Sequence, residues 1–150
     1  MLDTRALEPH EAIHETLEVA ARDCDDMSDP VYRRFFEAHP EAAGMMKHVD
    51  FHVRGRMLND VLSLLLSPAE DTDRVLLEFE VASHRNYGVG EELYAPFLAA
   101  IRDTARELAA DIWDEHLEAG WNRRIEQLLA GIREMNARQA RQARSARASA

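Results

Sequence analysis

Two histidine settings in the chain could do chemistry. The first is HEAIH, His10 to His14. The H-E-x-x-H spacing puts two imidazoles one helical turn apart with a glutamate between them, an arrangement that holds zinc and activates water. A zinc site takes a third protein ligand, and the extended pattern supplies glycine and then histidine soon after. Here ETLEVAARD follows His14 with neither, and Glu37 and Glu41, which could supply a carboxylate, lie around a corner. His10, Glu11 and His14 are therefore expected on the polar side of an amphipathic helix. The second setting is His84, just before RNYGVGEELY. A neutral imidazole facing a large apolar cavity holds haem iron by one axial bond, provided its other ring nitrogen finds an acceptor. On this physics alone a core or rim position is the better reading, since a lone histidine by an apolar face is usually a satisfied core or rim residue. Cys24 is the only cysteine, so no internal disulfide is possible, and it suits the role of a small apolar residue.

The elements that would position these side chains are helical. Apolar residues recur at three- and four-residue steps and no stretch alternates as a strand. A first helix is expected over 8–24, with Ala12, Ile13, Leu17 and Ala20 inward. DMSDPV restarts the chain with a Ser28 or Asp29 cap and Pro30 in the first turn, and Val31, Tyr32, Phe35 and Phe36 follow. Pro40 disfavours helix at His39 and makes a corner. A helix over 50–66 carries Phe51, Leu58, Leu62 and Leu65. Another carries Leu76, Leu77, Val81 and His84 and ends at Gly88 and Gly90. Two long helices close the domain, one burying Tyr94, Phe97, Leu98, Ile101, Ala105 and Leu108, the other Trp113, Leu117, Trp121, Ile125, Leu128 and Ile132. The domain is expected over 1–135. Residues 136–150, rich in arginine, alanine and serine, are expected to form a frayed helix end and a disordered tail.

The 150 residues suffice for one domain with a real core. A formal charge of −10 argues against non-specific binding to a nucleic-acid backbone. The acidic N-terminus does not read as a signal peptide, and VLSLLLS, the longest apolar run, is too short to span a membrane. A cytoplasmic protein is expected.

YRRFFEAHPE followed by HRNYGVGEELYAPFLAAI resembles the globin family, and within it single-domain bacterial haemoglobins and the globin domain of flavohaemoglobins. The resemblance spans 29–132 and rests on H-x-x-Y-G-V with a tyrosine ten residues after the histidine. It implies an all-α, three-on-three helical sandwich that binds haem b. His84 would be the proximal iron ligand and Tyr94 would hydrogen-bond near it. Tyr32, seven residues before the HP corner, would line the distal pocket and donate to a bound gas. If Gly55 crosses the second helix, Arg54 stands at the distal gate and Leu58 over the iron; a slip of one residue puts Val53 at the gate. His52 is near enough to swing in as a sixth ligand.

Three positions depart from the family pattern. Met46 stands where a phenylalanine normally packs on haem. Glu80, four residues before His84, replaces an apolar residue. Asn136, with Glu134 nearby, stands where flavohaemoglobins have a glutamate behind the proximal tyrosine–histidine pair. The resemblance implies reversible binding of O2, NO or CO, as in oxygen transport. With an external reductase it implies NO dioxygenation or a peroxidase-like side activity. A gas or redox sensor acting through protein contacts and a haem-free globin scaffold are the alternatives. The expected partners are a diatomic ligand, a reductase and, as a homodimer, a second copy, with no nucleic acid or membrane.

Overall fold

Seven α-helices follow one another through residues 7–149, the span that the computed structural model describes, and no strand occurs among these residues. α1 (Pro9–Ala20) starts on a proline, whose missing N–H would be unpaired there anyway. Glu8 and Glu11 close a reciprocal capping box, with Glu8 N–H donating to Glu11 Oε1 at 3.1 Å. Glu11 thus serves the helix start. His14 is exposed beside Glu18, and among the described residues no three His, Cys, Asp or Glu side chains converge.

α2 (Ser28–Ala38) begins as the Asp26 carboxylate accepts the Ser28 N–H at 2.9 Å. α3 (Pro40–Met45) starts directly after the His39 corner. α4 (Phe51–Leu66) and α5 (Arg74–Asn86) are capped by Asp50 and Asp73, which accept the N–H groups of Val53 and Leu76. α6 (Tyr94–Leu108) and α7 (Glu115–Ala148) complete the chain, and Asp114 caps α7 through Leu117 N–H.

α7 is the spine, with α1, α4, α5 and α6 all packed on it. Trp121 of α7 is fully buried, and its indole N–H donates to Thr16 Oγ1 of α1 at 3.0 Å. Thr16 in turn donates to the Ala12 carbonyl, so the buried polar chain is satisfied. At the same crossing, a Cβ on Gly120 would lie 2.5 Å from Ala12 Cβ, so glycine is what allows α1 this close.

α7 departs from expectation beyond Met135. Residues 136–148 continue the helix rather than forming a disordered tail. The docking is polar: Gln139, 9% exposed, donates to the Glu78 carbonyl of α5 at 3.1 Å and bonds Arg85. Residues 141–149 are exposed.

Candidate functional site

α4 and α5 both pack on α7 but scarcely touch one another. Between them, and closed by α2 and α6, lies an apolar cavity of about 110 Å³. That is below the roughly 300–1,000 Å³ usual for small-molecule and cofactor sites, so admitting a cofactor would require the walls to move apart. Tyr32 and Phe35 of α2, Phe97 of α6 and Met46 of the α3–α4 connection form part of its wall.

His84 enters the wall from the last turn of α5. Burial holds its imidazole below the ordinary histidine pKa, opposed by the nearby Glu80 carbonyl, so the ring is neutral near pH 7. The Glu80 carbonyl lies close without good hydrogen-bond geometry, and Nδ1 is buried with no satisfied bond among the described residues. The nearest carboxylate oxygen, Glu80 Oε2, is 3.9 Å away. Tyr94 presents its ring edge-on to the imidazole at 5.7 Å and 85°. Burial pushes the Tyr94 phenol up to about 12, with Glu80 adding to the effect.

The backbone after His84 is fixed by a Schellman turn. Gly88 has φ +79°, a left-handed conformation that favours glycine. It lets Val89 N–H return to the His84 carbonyl at 2.9 Å and Gly88 N–H to the Arg85 carbonyl at 3.0 Å. Val89 then turns onto the cavity wall. The G of the YGV motif thus secures the helix end that carries His84.

Glu80 also lines the cavity. Its carboxyl is held above the usual range, chiefly by burial and then by Asp60 of α4, with Arg56 opposing.

On the α4 side the structure turns the helix differently from the expected register. Met57 and Val61 face the cavity. Leu58 does not stand over it but is buried in the core among its neighbours. Arg54 is not at a gate. Its guanidinium stacks on the Tyr32 and Phe36 rings, 5.7 and 5.2 Å from their centroids, and donates to the Met46 carbonyl at 2.9 Å. Its own carbonyl accepts the Tyr32 hydroxyl at 2.9 Å. Those contacts draw Arg54 toward α2 and set the rotation of α4. Val53 is half-buried and off the cavity wall. His52 is exposed, with its ring 4.0 Å from Phe51, also away from the cavity.

No family model and no curated protein matches the chain.

Of the site residues expected from sequence, His84, Tyr32, Met46 and Tyr94 meet around one cavity, while Arg54, Leu58 and His52 do not join them. In type, though not in the space they enclose, the assembled residues suit haem: an apolar slot between two separated helices, a neutral imidazole on its wall, and a buried ring nitrogen beside a backbone carbonyl. Glu80 is the residue that suits it least.

One buried charge escapes sequence reasoning. Arg124 of α7, 1% exposed, donates to the Leu64 carbonyl at 2.8 Å, the Leu65 carbonyl at 3.3 Å and Thr72 Oγ1 at 2.9 Å. It pairs the carbonyls at the C-terminal end of α4 that the helix itself leaves free. Its position among the polar residues of α7 gives no sign of this role.

Proposed function

We propose that the chain is a globin that binds haem b between α4 and α5 and takes up a diatomic gas. The reading is carried by His84: a neutral imidazole, one nitrogen unsatisfied, on the wall of an apolar cavity between helices that scarcely touch. The cofactor would supply redox-active iron that takes up O2, NO or CO, and NO dioxygenation would further require an external reductase.

The chain's own residues do the positioning. His84 would hold the iron, the Glu80 carbonyl would accept a hydrogen bond from Nδ1–H on a small adjustment, and the edge of Tyr94 limits rotation of the imidazole. Phe35, Phe97 and Val89 line the slot with apolar surface and exclude water. Tyr32 remains a phenol, because burial raises its pKa despite the Arg54 cation. To donate to a gas ligand its hydroxyl would exchange the Arg54 carbonyl for that ligand, a directed bond to developing negative charge.

Haem added to the purified protein should bind one to one and raise the melting temperature, because a ligand of the native state stabilises it by mass action. His84→Ala should lose most of that shift. An equal shift in both proteins would reject His84 as the ligand. A haem-free globin scaffold is the second reading, favoured by Glu80 on the cavity wall. It predicts no shift in either protein.

A further inference from the structure

We propose that Met57 supplies a second axial ligand, a thioether reaching from α4 across the cavity from His84, so that a gas binds only by displacing sulfur. This rests on the haem reading above.

Among the lone pairs at the cavity, most are already committed. Glu80 shares a helix with His84 one turn earlier, so the two lie side by side. Tyr94 stands edge-on against the imidazole and occupies the same side. The Tyr32 hydroxyl is engaged by the Arg54 carbonyl. The donors left are thioethers. Met45 is 44% exposed, at the rim. Met46 lies in the α3–α4 connection, where the Arg54 guanidinium holds its carbonyl. Met57 stands on α4 itself, with Val61 one turn on completing that wall. Its unbranched side chain has three rotatable bonds, so the sulfur can move onto or off a metal without moving the helix. A His/Met axial pair raises the reduction potential of haem and favours the ferrous form. The dative sulfur–iron bond must break before a gas can bind, and no electron or proton is transferred in that exchange.

The test uses the full chain reconstituted with haem. The ferric wild type should be six-coordinate and low-spin with a sulfur-to-iron charge-transfer band. Met57→Leu should be high-spin without the band, and Met46→Leu, whatever its effect on haem affinity, should keep the band. With CO and the ferrous protein, the wild-type association rate should level off as CO rises, because sulfur departure limits it. In Met57→Leu the rate should rise linearly. If the sulfur-free state is about 10% populated, Met57→Leu should gain about tenfold in CO affinity. A high-spin wild type with linear CO kinetics overturns the proposal and leaves the haem reading standing. Loss of the band in Met46→Leu instead of Met57→Leu also overturns it. A wild type that retains no haem overturns both. Circular dichroism checks the fold of the variants; should Met57→Leu misfold, Met57→Ala and the wild-type spectrum and CO kinetics still decide.

Discussion

Glu80 and Arg124 show how far single residues depart from their type. Glu80 keeps a carboxyl on an otherwise apolar wall, and its pKa is raised by burial and by Asp60. A carboxyl with a raised folded-state pKa contributes stability below its ordinary value of 4.5 that is lost as pH rises through the folded value. Glu80→Gln should therefore stabilise the haem-free protein at pH 7 and do little at pH 4. Urea melts at both pH values check this; equal effects would show that burial of the charge costs nothing. Arg124→Met should destabilise by about 2–4 kcal/mol, because the Leu64 and Leu65 carbonyls would lose buried partners worth about 1–3 kcal/mol each. A loss under about 0.5 kcal/mol in the same melts would mean that water replaces the guanidinium. The spacing to His84 already marked Glu80 as standing at an apolar position, whereas the role of Arg124 was not legible, because a helical pattern marks charged residues as solvent-facing. His84, Tyr32, Met46 and Tyr94 were legible, since motif spacing fixes them relative to corners and helix ends. Met57 was not: Leu58 beside it fits the same apolar stripe, and one residue rotates the helix face by about 100°.

At the scale of elements, two glycines decide geometry. Gly120→Ala should destabilise by about 1–3 kcal/mol through overpacking against Ala12, which outweighs the gain of about 1 kcal/mol in helix propensity. Thermal melts would show the sign; a more stable variant would mean that α1 can move away without cost. Gly88→Ala forces a side chain into the left-handed conformation that closes α5, at a cost of about 1 kcal/mol. The helices themselves were readable from proline, caps and periodicity. α1 is shorter than expected, ending at Ala20. The length of α7 was not readable, because its continuation past Met135 is pinned by Gln139 rather than by apolar residues. Removing 141–150 should leave the melting temperature nearly unchanged, whereas Gln139→Ala should lower it; the reverse order would place the anchor further along the helix.

For the whole molecule, composition and periodicity made an all-helical domain legible, and the structure shows one among the described residues. The cavity was only implied, since it depends on α4 and α5 standing apart on α7, and no local pattern encodes a distance between two helices. On the proposed reading this gap holds haem by His84. The visible absorption spectrum of the protein reconstituted with haem tests it most directly. A sharp Soret band is expected at one haem per chain, lost or strongly broadened in His84→Ala. A wild-type protein without that band, or a band unchanged in His84→Ala, would contradict that reading.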